Sequence, residues 1–314
     1  MVTTRPFRFG INAGGSEHAA ELVTLACMAE ELGYSVFNCS DHLNYPAAEL
    51  EPMVTLATVA ASTTMLEVQP LVLANGLRHP ALLYKQAATL DVLSGGRFSL
   101  GIGAGWYPPD FTAPGIAFDT PAVRIGRLFE ALEIFKALQT STPVNFQGEH
   151  YTITGLTGSP QPIRSPIPVF IGGAGPVMLQ QAARIADTIG LNLGLPLGFS
   201  IPETSTPFAD ITDMKLKWIK AGAGGRFDDL ELQTTVFAGG ITDGDTAALL
   251  APLAEMIGVS IETLKDCPHV LAGTLEECVE TVQRWRARWG ISYVTIPGSV
   301  VREFGPLVSA LRGK

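Results

Sequence analysis

Short apolar runs alternate with helical patterns along most of the chain. Phe7-Arg8-Phe9-Gly10-Ile11-Asn12 reads as a strand. Leu22, Leu25, Ala26 and Ala29 then share one face of a helix from about Glu17 to Leu32, closed by Gly33. Val36 to Ser40 is the second strand, Pro52 to about Thr63 the second helix, and Leu66 to Leu73 the third strand. A helix over Pro80–Leu93 opens on a proline at a tolerated first-turn position. Arg97 to Gly103 is the fourth strand, and Ile125, Leu128, Leu132 and Phe135 mark the buried face of a helix over Pro121–Leu138.

The second half keeps the rhythm. Val144 to Ile153 reads as a hairpin turning at Gly148. Strands follow at Pro168–Ile171, Thr188–Leu193, Leu230–Phe237 and Ile291–Ile296. Helices are expected after Pro176, near Asp213–Ala221, and over Asp245–Ile257, Thr274–Trp289 and Phe304–Leu311. Gly194 to Thr206, rich in Gly, Pro, Ser and Thr, reads as a loop or lid. Strand–helix alternation buries a parallel sheet on both faces. A closed barrel and an open doubly wound sheet both satisfy it. Eight dispersed units and no linker favour one (β/α)8 TIM barrel domain with insertions over residues 1–314.

Composition narrows the partners. Of 314 residues, 46% are apolar and 16% charged, and mean hydropathy is +0.26, which fits a large core and argues against disorder. Thirty acidic against 21 basic residues give a net charge of −9, with no basic stripe for nucleic acid. Apolar runs break too soon for a membrane span, and Met1 to Pro6 leads into a strand without a signal-peptide core, so a cytoplasmic protein is expected. Cys27, Cys39, Cys267 and Cys278 form no CxxC pair and read as buried reduced thiols. No HxxxH, HExxH or GxSxG pattern occurs, so neither a metal site nor a hydrolase elbow is expected.

In a barrel, chemistry sits where strands end. Asn12-Ala13-Gly14-Gly15 after the first strand leaves room against the backbone. Asp41-His42 follows the second; His trades protons near neutral pH, and an adjacent carboxylate can raise its basicity or fix its tautomer. Arg78 and His79 follow the third strand, either as rim groups or as solvated loop residues. After the fourth come Gly103, Ala104, Gly105 and Trp106, with Trp where a dinucleotide fingerprint needs its third glycine. Gly103 and Gly105 would let a flat ligand approach, with Trp106 as its wall or as core. Gly172-Gly173-Ala174-Gly175-Pro176 reads as a glycine turn into a helix N-terminus, a phosphate site or an ordinary turn. The sum is a barrel holding a phosphate-bearing planar ligand beside a rim histidine, which suits a flavin-like redox cofactor.

These stretches carry a resemblance. Ala29-Glu30-Glu31-Leu32-Gly33-Tyr34, Ser40-Asp41-His42, Arg78-His79-Pro80, Leu93 to Phe98, Leu100 to Trp106, Arg124 to Glu133 and Pro168 to Gly175 resemble the luciferase-like monooxygenase superfamily of (β/α)8 barrels. With Ala221 to Leu232 and Gly290 to Thr295, they are most similar to its coenzyme F420-dependent oxidoreductase branch. The resemblance implies that Asp41 and His42 are catalytic beside the deazaflavin ring, and that a non-prolyl cis peptide falls near Leu71–Val72. It further implies cofactor contacts at Asn12, Leu71, Val72, Gly103, Ala104, Gly105 and Trp106, a phosphate at Gly172, Gly173, Ala174 and Gly175, and a homodimer. Sugar-phosphate dehydrogenase relatives carry a catalytic Glu where this chain has Trp106, so their substrate does not transfer. Asp110 is the nearest carboxylate, with its role open, and the rim suits an apolar or aromatic organic substrate. The alternatives are an FMN-dependent two-component monooxygenase and a non-catalytic flavin-binding barrel.

Overall fold

The computed structural model describes residues 5–14, 18–46, 49–192 and 208–314; the expected loop Gly194–Thr206 lies outside them. In chain order the elements are β1 (Arg8–Asn12), α1 (Ala19–Glu31), β2 (Val36–Cys39), α2 (Pro52–Ser62), β3 (Glu67–Pro70), β4 (Leu73–Ala74), α3 (Pro80–Ser94), β5 (Leu100–Gly103), α4 (Pro109–Thr112) and α5 (Pro121–Leu138). Then come β6 (Val144–Gln147), β7 (Thr152–Leu156), β8 (Val169–Gly173), α6 (Pro176–Ile185), β9 (Thr188–Leu191), α7 (Phe208–Ala223), β10 (Glu231–Thr235) and β11 (Ala238–Ile241). The chain ends with α8 (Thr246–Ile257), α9 (Ile261–Lys265), β12 (Val270–Gly273), α10 (Leu275–Trp289), β13 (Ile291–Pro297) and α11 (Gly305–Leu311).

Contacts divide the chain into two compact units. One holds Met1–Asn12, Met28–Ser35 and Gly172–Lys314. In it β1 pairs with β13, β13 with β10, and β10 with β9, all parallel. Phe9, Ile11, Ile189, Ile291, Val294 and Ile296 have no exposed surface, which explains the unbroken apolar runs. Thr274 and Glu277 close a reciprocal capping box at the start of α10.

The other unit holds Ala13–Cys27 and Val36–Ile171. In it β2 pairs with β3, and β5 pairs with β4 and with β8, again in parallel. Arg97 ties this layer together: its guanidinium donates to the carbonyls of Ala60 in the last turn of α2, of Thr63 at its C-cap and of Leu66 ahead of β3. The first two are among the acceptors a helix terminus leaves without partners. Gly95, left-handed at φ 68°, ends α3 just before it.

All eight strand regions expected from the apolar pattern form. Two readings need correction, and one pair of strands is additional. The third strand is interrupted: β3 stops at Pro70, the Leu71–Val72 peptide is cis as the resemblance implies, and β4 resumes at Leu73. Leu230–Phe237 forms one strand, β10, but beyond it lies a separate parallel pair that the pattern does not announce, β11 with β12, beside a small core of Phe208, Leu250, Leu264 and Val270. The four thiols are free, but Cys27 is only partly buried. Among the described residues no helix is long and apolar enough to cross a membrane.

Candidate active site

Asp41 and His42 leave the end of β2 side by side, yet they serve different partners. The Asp41 carboxylate, 4% exposed, accepts both guanidinium nitrogens of Arg78 at 2.6 and 2.9 Å and the backbone N–H of Ala74 at 2.9 Å. Arg78 also reaches Glu51 at 2.7 Å, and Glu51 caps α2 by accepting the Val54 N–H. One guanidinium thus joins the end of β2, the start of α2 and the turn beyond β4. This settles the open reading of Arg78: it is a buried structural tie. His79 accepts the Ala81 N–H as the N-cap of α3.

His42 takes its carboxylate from elsewhere. Its Nδ1 lies 2.6 Å from Oδ2 of Asp110, whose Oδ1 accepts the backbone N–H groups of Leu43 and Asn44 at 2.9 Å each. The expectation that Asp41 orients His42 is therefore corrected to Asp110. With Asp110 as an ionised carboxylate, Nδ1 carries the hydrogen and Nε2 is left to give or take a proton. Both side chains are largely enclosed, His42 at 13% and Asp110 at 3% exposure.

Packing places Asp110. It sits on α4, a single turn started by Pro108-Pro109, and its neighbour Phe111 is buried. A Cβ on Gly76 or on Gly105 would stand 2.6 Å from the Phe111 ring. Gly105 also has φ +79°, which side-chain-bearing residues rarely adopt. On the side where a Cβ would project, the space beside Gly105 is thus filled by Phe111, which gives this glycine a packing role.

Aromatic rings surround the histidine. Tyr45 stacks on it at 4.4 Å between centroids, and Trp106 and Tyr107 meet it edge-on at 5.8 Å. Burial raises the Tyr45 phenol above its ordinary value, helped by the charge of Glu49. Trp106 is 54% exposed, so it is a rim group and not core.

The glycine turn lies in the other unit. β8 ends at Gly173, and Gly175 is the N-cap of α6, with no side chain capping the first turn. Lys215, 3% exposed, donates from Nζ to the Ala174 carbonyl, and burial lowers its ammonium to about 8. Asn12, also in this unit, has a buried Oδ1 without a partner.

The profile of luciferase-like monooxygenases matches residues 1–200. The chain belongs to this family. It is similar to an uncharacterized protein of Mycobacterium tuberculosis, 34% identical over 182 residues, 52% of this chain and 62% of that one. It is similar to the F420-dependent glucose-6-phosphate dehydrogenase of Nakamurella multipartita, 31% identical over 243 residues, 73% of this chain and 67% of that one. The chain thus spans less than two thirds of the mycobacterial relative. The coenzyme F420-dependent tetrahydromethanopterin reductase of Methanopyrus kandleri superposes over 98% of this chain and 100% of its own at TM-score 0.78 and 18% identity. That likeness shows the fold, and the fold is the (β/α)8 barrel the alternation predicts.

Within this luciferase-like chain, sequence reasoning missed Tyr45, Tyr107 and the role of Asp110. Pro108-Pro109 before Asp110 was the available signal, since a Pro pair announces a helical first turn that carries the carboxylate. No group of three or more His, Cys, Asp or Glu able to hold a metal occurs among the described residues.

His269 of this family member titrates in a way that can be checked. It is fully buried, and desolvation lowers its imidazole from 6.5 to about 4, opposed by the Thr235 carbonyl and aided by the charge of Lys215. The unfolded chain therefore binds more protons between those values. Stability is full above pH 6.5 and is lost as pH falls through 4. His269→Gln is expected to flatten this limb by up to about 3 kcal/mol in denaturant unfolding measured at pH 7 and pH 4.5.

Proposed function

We propose that the protein is a coenzyme F420-dependent oxidoreductase that moves a hydride between the deazaflavin and a small organic substrate, with His42 as the proton donor or acceptor. The observation that carries this reading is the His42–Asp110 pair beside exposed Trp106, with no partner for Nε2 among the described residues. The named activities of the Nakamurella relative and the Methanopyrus structure support the choice of cofactor.

The chain's own groups fit such a molecule. Asn75, at the end of β4, has a buried side-chain carbonyl without a partner, which suits a ring N–H. The first turn of α6 has no side-chain cap, which suits a phosphate. In one unit, Leu71, Val72, Gly103, Ala104, Gly105 and Trp106 are proposed as contacts of the cofactor ring; in the other, Asn12 is proposed as a cofactor contact and Gly172, Gly173, Ala174 and Gly175 as the phosphate turn. Bound there, the deazaflavin supplies two-electron hydride chemistry.

In the reducing direction, Nε2–H of His42 gives its proton to the substrate atom next to the one that takes the hydride. In the oxidising direction Nε2 receives that proton. Asp110 stabilises the imidazolium and holds the ring plane. Asp41 is proposed to act by fixing the loop that carries His42 through Arg78. The same reading covers one domain over residues 1–314, working as a homodimer in the cytoplasm.

Asp110→Asn turns an amide N–H toward Nδ1 and forces the hydrogen onto Nε2. Turnover is expected to fall about ten- to a hundredfold, with the pH profile displaced and deazaflavin affinity nearly kept. The test of the function is anaerobic turnover: reduced deazaflavin mixed with a panel of aromatic carbonyl and alkene acceptors, followed by the return of its oxidised absorbance. The family's name motivates the second reading, an FMN-dependent two-component monooxygenase. Oxygen consumption with reduced FMN, and no anaerobic turnover, would select it. Binding without any turnover would select a flavin-binding protein.

A further inference from the structure

The rim around His42 carries information about what it admits. Three aromatic side chains, Tyr45, Tyr107 and Trp106, enclose the imidazole at centroid distances of 4.4 to 5.8 Å, and Tyr45 meets Tyr107 edge-on at 5.6 Å. Trp106 presents its ring to solvent, although large aromatic side chains are usually well buried. A ring exposed beside a proton-transfer group is a platform for another flat molecule.

The charges at this rim are mostly negative. Asp110 and Asp41 lie under it, Glu51 is bound to Arg78, and Glu49 accepts the Ser40 hydroxyl at 2.7 Å while its second oxygen is buried without a partner. Glu49 is also close enough to Tyr45 to raise its phenol value. Against these four carboxylates stand two guanidinia. Arg78 is committed to Asp41 and Glu51. Arg124 turns to the carbonyls of Gly105 and Asp119 and lies 4.0 Å over Phe118. Neither is free to meet a phosphate or a carboxylate, and the excess negative charge repels one. The electron-rich faces of Trp106, Tyr107 and Tyr45 attract a cation.

We infer that this rim takes a flat aromatic substrate, neutral or positively charged, and turns away phosphorylated and carboxylated molecules. The inference rests on the His42 rim being the reaction site proposed above, and it narrows the substrate class of that site. It separates this chain from the Nakamurella relative, whose named substrate is a sugar phosphate.

The test uses the full-length protein, with and without the deazaflavin, and four probes: benzyl alcohol, benzylamine, benzoate and glucose 6-phosphate. Binding is read from quenching of tryptophan fluorescence, with Trp106→Phe identifying the signal of that ring. Benzyl alcohol and benzylamine are expected to bind at least about tenfold more tightly than benzoate, with glucose 6-phosphate weakest. Glu49→Gln, nearly the same shape, is expected to improve benzoate binding about threefold and leave benzyl alcohol unchanged. Trp106→Leu is expected to weaken both favoured probes about tenfold. Benzoate or glucose 6-phosphate bound as tightly as benzyl alcohol overturns the inference, as does the absence of saturable binding by any ring. The expected ranking in a protein that retains no deazaflavin overturns the proposed function and leaves the charge preference standing.

Discussion

Replacing His42 by glutamine is expected to lower turnover by about a hundred- to ten-thousandfold, the range a positioned proton donor contributes. Deazaflavin affinity should change little. A glutamine amide can still donate to Asp110, so the buried carboxylate keeps a partner in place of the imidazole. The comparison to make is single-turnover rate against dialysis affinity in the same preparation. A loss confined to the rate is the expected pattern. Turnover within a few-fold of the parent would remove His42 from the chemistry.

Arg78→Met is expected to destabilise the fold by about 3–5 kcal/mol, the cost of leaving one member of a buried ion pair behind. Asp41 and Arg78 have side-chain exposures of 2% and 10%, so little water reaches them. The substitution removes two hydrogen bonds to Asp41 and one to Glu51, and only the Ala74 N–H remains on Asp41. Denaturant unfolding checks it through a lowered midpoint at unchanged slope. Arg78→Lys should recover only part of the loss, because one ammonium cannot span Asp41 and Glu51 as the planar fork does. A change below 1 kcal/mol would mean that the junction of β2, α2 and β4 is held by other contacts.

Much of the fold was legible where a parallel strand buried on both faces writes an apolar run. Phe9, Ile11, Val36, Phe37 and Ile102 are such positions. The β11–β12 pair was missed because Ala238-Gly239-Gly240-Ile241 and Val270-Leu271-Ala272-Gly273 are too short and too rich in small residues to register. The cis bond at Leu71–Val72 came from resemblance, since nothing in residue pattern alone marks a non-prolyl cis peptide.

The site was half legible. His42 stood out by residue type and by its place after a strand. Its partner did not, because Asp110 lies 68 residues away and Asp41 is adjacent in sequence. Adjacent residues at a strand end face opposite ways, so sequence proximity pointed to the wrong carboxylate. Arg78 was ambiguous for the same reason: both its partners lie far upstream, 37 and 27 residues away. Tyr45 and Tyr107 became visible only once ring centroids could be measured.

The proposed function requires the barrel to hold a deazaflavin beside His42. Equilibrium dialysis of the protein against coenzyme F420 and against FMN, at equal concentrations and in the same buffer, tests it most directly. Saturable retention of F420 at one molecule per chain, with FMN held at least about tenfold more weakly, is the predicted result. Retention of FMN with F420 passing freely would contradict it.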